Sequence, residues 1–220
     1  MNMRAPNFDR LTKIYRWMEY FSFGCALERC RFFFLDRCAE ARHALVLGDG
    51  DGRYTQQLAQ RNAGVQIDAM DASPRMLQAL RERVALLGPQ ATERLHTTVC
   101  DLRTYDPQPL GYDLVASHFF LDCLTEVEIE ALANRLRAAL APRALWIVSE
   151  FSIPQRGWMR QPARAIIAAL YFAFHWMTRL PVHRLPNYVP ILQRADFTLV
   201  EKKSFLSGLI TAEVWRYANR

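Results

Sequence analysis

The sequence predicts an α/β fold, a parallel sheet doubly wound by helices on its two faces. Three observations predict it. Short apolar strand-like runs alternate with helix-like segments from residue 41 to about 151. The first strand runs straight into Gly48-Asp49-Gly50-Asp51-Gly52, three alternating glycines ahead of a helix. The second and third strands each end on an acid, Asp71 and Asp101.

The elements follow in order. Phe8, Leu11, Ile14, Tyr15 and Met18 recur at helical spacing, Gly24 interrupts them, and a second helix is predicted over Cys25–Ala39. Ala44–Leu47 is a buried strand, and the helix after the glycine turn runs to Asn62. Val65–Met70 is the second strand. Ser73-Pro74 opens a helix that continues to Gly88, with Ser as N-cap and Pro in the first helical position. Leu95–Cys100 and Tyr112–Ser117 are the third and fourth strands. Thr125-Glu126-Val127-Glu128 has the capping-box pattern and starts a helix to Leu140. Ala144–Ser149 is the fifth strand. Residues 152–184 carry Arg156, Arg160, Arg164, Arg179 and Arg184 among aromatic and aliphatic residues, with no acid, and read as one long helix or a helical pair. A short helix over Val189–Arg194 precedes two strands, Phe197–Phe205 and Leu209–Tyr217, joined through Ser207-Gly208 as an antiparallel edge pair.

The chain has 220 residues, and half are apolar, which suits a single domain with a sizeable core. It divides into an N-terminal helical cap (1–40), a cofactor-binding core (41–151), a helical insert or lid (152–196) and a C-terminal strand pair (197–217). The formal net charge is +6, which opens anionic surfaces, nucleic acid and acidic substrates as partners. Five cysteines show no metal-ligand spacing and no Cys-x-x-Cys pair, as expected of reduced thiols in a cytoplasmic protein. No apolar h-region is read near the N-terminus, and the longest apolar run, Ala165–Met177, is short of the roughly 18–20 residues of a membrane span.

Ligands of such sheets bind at the carboxyl ends of the strands, near the switch in strand order. Gly48–Gly52, Asp71, Asp101 and Ser117–Asp122 are all predicted at that edge. The glycine turn presents bare backbone at a helix N-terminus. Its two carboxylates, Asp49 and Asp51, would repel a diphosphate and attract a ligand bearing an ammonium and a sulfonium.

These motifs resemble those of the class I S-adenosylmethionine-dependent methyltransferases, from about Ala41 to Tyr217. Phe8-Asp9-Arg10, Tyr15 and Phe23-Gly24 also resemble the entry segment of the ubiquinone/menaquinone-biosynthesis-like group. The resemblance implies a Rossmann-like sheet of seven strands with the antiparallel edge hairpin at the C-terminus. It implies S-adenosylmethionine as cofactor, S-adenosylhomocysteine as product, and transfer of a methyl group by in-line displacement. It places Gly48, Gly50 and Gly52 along the methionine part and Asp71 on both ribose hydroxyls. Ala72 and Met76 fall near the adenine, with Asp101 on its amino group and the Leu102 backbone on the base edge. Ser117 and His118 fall near the methionine moiety and the transferring methyl, and Tyr15 closes over the cofactor. The family usually has an acid two positions before the first glycine. Here that residue is Val46, so Asp49 or Asp51 is left to meet the cofactor's ammonium.

His118 and Asp122 are the candidate catalytic residues, with His118 the first choice for a base on the strand-four loop. No metal is expected. The alternatives are an S-adenosylmethionine-binding protein without transfer and an NAD-dependent oxidoreductase. The dinucleotide pattern would need its third glycine where Arg53 or Thr55 stands. A nucleic-acid amino-methylase would carry an Asn/Asp-Pro-Pro-aromatic motif where this chain has Ser117-His118-Phe119-Phe120, which counts against nucleic acid as partner. The insert predicts a small hydrophobic or lipid-like acceptor, and its arginines and tryptophans suit peripheral contact of 152–184 with the inner face of a membrane.

Overall fold

The computed structural model describes residues 25–218 except 110, 179–181 and 183; for 173–178 it describes backbone only. Tyr15 and the 8–24 pattern therefore lie outside the described residues.

The seven strands form one sheet in the order β3-β2-β1-β4-β5-β7-β6. They are β1 (His43–Leu47), β2 (Gln66–Asp71), β3 (Leu95–Val99), β4 (Tyr112–His118), β5 (Leu140–Phe151), β6 (Phe197–Phe205) and β7 (Ile210–Tyr217). The first five are parallel, and β7 runs antiparallel to both β5 and β6. The strand order reverses between β1 and β4, so the crevice at their carboxyl ends is the switch point.

Alternation along β1 sets the two layers. Ala44 and Val46 face a core shared with α1 (Cys25–Phe32), α2 (Arg53–Arg61) and α3 (Pro74–Ala85), through Leu27, Leu58, Leu77 and Leu80. Leu45 and Leu47 face the other core, shared with α5 (Glu126–Arg137) and α7 (Tyr188–Arg194), through Ile129, Leu132, Ile191 and the fully buried Trp146 and Trp215. A third, smaller group joins α6 (Arg160–Thr178) to the sheet, with Ala163 and Ile167 packed with Leu209, Phe151 and Tyr171.

The helix starts are those the sequence encodes. Ser73 Oγ accepts the Met76 N–H, with Pro74 next in line. Thr125 and Glu128 form the complete capping box of α5, with acids in its first turn and Arg135 and Arg137 in its last.

Four boundaries differ from expectation by more than two residues. The second N-terminal helix stops at Phe32 and resumes as a 3-10 turn over Leu35–Cys38. The helix expected to run to Gly88 ends at Ala85, and a one-turn helix α4 (Pro89–Glu93) follows, too short to show periodicity. Helix α5 stops at Arg137, because Leu140 already pairs with Tyr112. Strand β5 is twice the length predicted. Pro142 and a left-handed Arg143 (φ 64°) disguise its start, where the β4–β5 register shifts. Within the insert, residues 160–178 form a single long helix, α6.

Candidate active site at the carboxyl edge of the sheet

The predicted strand ends do converge. Gly48 N–H donates to the Met70 carbonyl at 2.8 Å, Cys100 N–H to the Asp71 carbonyl at 3.1 Å, and Phe119 N–H to the Ser149 carbonyl at 2.7 Å. Neighbouring strand ends are thus tied together just where the chain leaves the sheet.

The three glycines of the turn all have positive φ, but they do different jobs. A Cβ on Gly52 would lie 2.7 Å from the Leu80 Cα, so this glycine lets α2 and α3 pack backbone to side chain. A Cβ on Gly48 would lie 2.6 Å from the Phe120 ring. A Cβ on Gly50 would meet only the Met76 sulfur, at 3.9 Å. Of the three, Gly50 alone has open space where a side chain would stand.

The turn carboxylates are committed to the protein. Asp49 accepts from the Tyr54 N–H (3.2 Å) and, through its other oxygen, from the Thr55 N–H and hydroxyl (both 2.8 Å). It satisfies the start of α2, where Gly52 has no side chain to do so. Burial pushes its pKa up, and Arg31 and the α2 donors pull it back. Asp51 is bound by Arg83 at 2.8 Å, and Arg83 Nε also donates to its carbonyl. Asp101 is held by Arg103 through Nε and Nη2 at 2.7–3.1 Å, which keeps its pKa below the usual carboxylate value. These three placements revise the picture of a carboxylate-lined pocket waiting for a cation. Arg83 and Arg103 supply partners for Asp51 and Asp101.

Asp71 differs. Its Oδ1 accepts the Ser73 N–H at 2.8 Å, and it has no ion pair among the described residues. Burial pushes it up to about 6, against the lowering effect of the Ser73, Gly50 and Ala72 N–H groups. Gly50, Asp71, the exposed Ala72 and the half-buried Met76 therefore share one stretch of the edge. Leu102 is buried, its carbonyl held by Arg135 at 3.3 Å.

Two residues expected at the methyl are buried in the sheet instead. Ser117 Oγ accepts the Trp146 indole N–H at 2.9 Å and is fully buried. His118 is 4% exposed, with Nδ1 bonded to Ser149 Oγ at 2.9 Å and the ring centroid 4.1 Å from that of Tyr54. Burial and the nearby Arg31 push its pKa well below the ordinary histidine value, so the ring is neutral. Strand alternation explains both: a residue inside a doubly covered strand points into a core, and the edge begins only at Phe119.

Asp122 stays at the edge, in the 3-10 turn Leu121–Cys123, with its pKa pushed up by burial to about 6. Sequence reading missed Glu150 beside it. Glu150 Oε1 accepts the N–H groups of Phe120 (2.9 Å) and Leu121 (2.7 Å), and so fixes the loop that carries Asp122. The strand-end signal that found Asp71 and Asp101 applies to Glu150 too, one residue past the expected end of the fifth strand.

Comparison with known proteins agrees with this geometry. Residues 45–145 match the family described as "Methyltransferase domain". Among curated relatives, a trans-aconitate 2-methyltransferase of Delftia acidovorans (strain DSM 14801 / SPH-1) is 37% identical over 106 residues, 47% of this chain and 36% of that protein. Its namesake from Mycobacterium ulcerans (strain Agy99) is 33% identical over 130 residues, 59% of this chain and 43% of the other. The matched stretches thus span less than half the length of these relatives. Neither name belongs to the quinone-biosynthesis-like group suggested by the 8–24 pattern. Among solved structures, the S-adenosylmethionine-dependent methyltransferase SibL aligns with TM-score 0.69 at 18% identity, over 100% of this chain and 64% of that one. The N-methyltransferase NodS from Bradyrhizobium japonicum WM9, in complex with S-adenosyl-L-homocysteine, aligns with TM-score 0.61 at 16% identity, over 88% of each chain. The chain has the Rossmann-like methyltransferase fold, and its methyltransferase-domain match runs from the first strand into the fifth.

Proposed function

We propose that the protein transfers a methyl group from S-adenosylmethionine to a small acceptor. One observation carries this reading: Gly50, the open glycine of the turn, lies beside Asp71, an acid with no ion pair among the described residues. That donor set fits the cofactor. Asp71 would take the ribose hydroxyls, Gly50 would let the chain approach closely, and Met76 and Ala72 would pack on the base beside Leu102. The bound cofactor supplies an activated methyl on a sulfonium. The protein's part is to align the acceptor and exclude water, an effect worth roughly 7–11 kcal/mol in well-oriented systems. His118 is assigned no proton transfer, since its ring is sealed in the core.

Calorimetric titration tests the reading. S-adenosylmethionine and S-adenosylhomocysteine are expected to bind and NAD(H) not to bind. The reverse order would replace the reading with an oxidoreductase. Incubation with methyl-labelled cofactor and cell extract then separates a transferase from a protein that only binds the cofactor.

The acceptor is not carried over from the named relatives. Helix α6 packs beside the edge through Ala163, Ile167 and Tyr171, which supports a small apolar acceptor. Its outer side exposes Ile166 and Phe172, with Trp158 just before it, alongside exposed Arg156, Arg160 and Arg164. No helix among the described residues is long and apolar enough to cross a membrane. This surface supports peripheral contact with anionic lipid. Vesicles of phosphatidylglycerol and phosphatidylcholine should co-sediment the protein, and Trp158→Ala with Phe172→Ala should weaken this. Equal binding to pure phosphatidylcholine vesicles would remove the electrostatic part.

A further inference from the structure

The acids on the β4–β5 side of the edge are placed unlike those around the glycine turn. Glu150 is 1% exposed, and its Oε1 is fully used by the Phe120 and Leu121 N–H groups. Its Oε2 is buried and has no hydrogen-bond partner among the described residues. Asp122 lies on the loop that Glu150 holds. The Asp122 carbonyl accepts the phenol of Tyr171, on α6, at 2.9 Å. Neither carboxylate has an ion pair among the described residues, and Lys202 is taken by Glu213 at 2.7 Å.

Holding the loop accounts for one oxygen of Glu150. A glutamine oxygen would accept the same two N–H groups without a buried charge. A buried acceptor left without a donor costs about 1–3 kcal/mol, and native folds rarely retain one without a use. Setting a second acid beside it raises that cost: burial, then the Asp122 charge, push the Glu150 carboxyl well above its ordinary range. Through its bond to the Asp122 carbonyl, Tyr171 lays α6 over the loop that Glu150 holds.

We propose that Glu150 Oε2 and Asp122 form the acceptor-recognition subsite, which selects an acceptor presenting a protonated amine or a hydroxyl over one presenting a carboxylate. An incoming ammonium offsets the charge of the pair, draws the raised Glu150 carboxyl back to its ionised form and satisfies the orphan oxygen; a hydroxyl satisfies that oxygen alone. A carboxylate does none of these and is repelled. The subsite depends on the methyl-transfer reading for what its occupant receives.

Three probes with one ring and different heads test it: benzylamine, benzyl alcohol and benzoate, with trans-aconitate as a fourth. Binding is measured calorimetrically to the full chain saturated with S-adenosylhomocysteine. Benzylammonium is expected to bind at least about tenfold more tightly than benzoate or trans-aconitate, a difference of about 1.4 kcal/mol. Glu150→Gln should erase that preference while leaving S-adenosylhomocysteine affinity and the thermal midpoint nearly unchanged. Should that variant not fold, Asp122→Asn carries the same test. Benzoate or trans-aconitate binding as tightly as benzylammonium overturns the proposal. So does a preference that survives the substitution, or failure of all four probes to bind. If S-adenosylhomocysteine itself does not bind, the methyl-transfer reading falls, and the ammonium-over-benzoate preference of the unloaded chain still decides the subsite.

Discussion

The two sides of the crevice treat their acids in opposite ways. On the β1–β3 side, Asp49 gives both oxygens to the start of α2, Asp51 is bound by Arg83, and Asp101 is bound by Arg103. On the β4–β5 side, Asp122 and Glu150 meet each other's charge and no ion-pair partner among the described residues. The first arrangement is architectural: the acids shape the turn and the loop, and their charge is answered within the fold. The second leaves charge and one oxygen, Glu150 Oε2, unanswered, and unanswered capacity in a buried place is where ligand chemistry belongs. Asp71 is the exception on the first side, and it is the acid we assign to the cofactor.

The largest effect expected is structural. Gly52→Ala puts a methyl group against the Leu80 backbone at a left-handed position, and should destabilise the protein by about 2–4 kcal/mol in denaturant unfolding. Gly50→Ala meets no such wall. It should cost about 1–2 kcal/mol of backbone strain and show mainly as lost cofactor affinity. Equal destabilisation by the two would erase the division of labour within the turn.

Asp71→Ala should weaken S-adenosylmethionine binding by about 1–3 kcal/mol, since the ribose hydroxyls lose their acceptor. Asp51→Asn should leave that affinity nearly untouched. A matching loss in Asp51→Asn would show that the turn acids face the ligand after all.

A pH series probes both sides at once. Asp71 and Asp122 are each raised by burial to about 6. Their raised values favour the folded state with the acids protonated. That contribution is complete below the ordinary aspartate value of about 4 and is lost as pH rises through about 6. Chemical unfolding should show stability drifting down across this window, and Asp122→Asn should flatten the drift. Cofactor affinity should move the other way, rising over the same window as Asp71 ionises and becomes a pure acceptor. The smallest effect is Thr125→Ala, which removes one half of the α5 capping box and should cost about 1 kcal/mol.

The glycine turn, the strand ends and the helix caps at Ser73 and Thr125 were legible because each depends on neighbours within a few residues. The edge hairpin was legible for the same reason: alternation and Ser207-Gly208 mark it locally. What was not legible depends on distant partners. Arg83 answers Asp51 from 32 residues away, and Trp146 claims Ser117 from 29. A strand-end residue can face the edge or the core, and one position separates Ser117 and His118 from the loop that matters. Glu150 was missed because the expected fifth strand ends at Ser149, two residues before β5 does.

The contact between Gly48 and Phe120 joins the two halves of the crevice. The aromatic ring rests on the first glycine of the turn, while its own amide is gripped by Glu150. A loop anchored at both ends in this manner cannot shift on one side alone. Whatever displaces that ring from the turn is felt at the carboxyl that holds the loop.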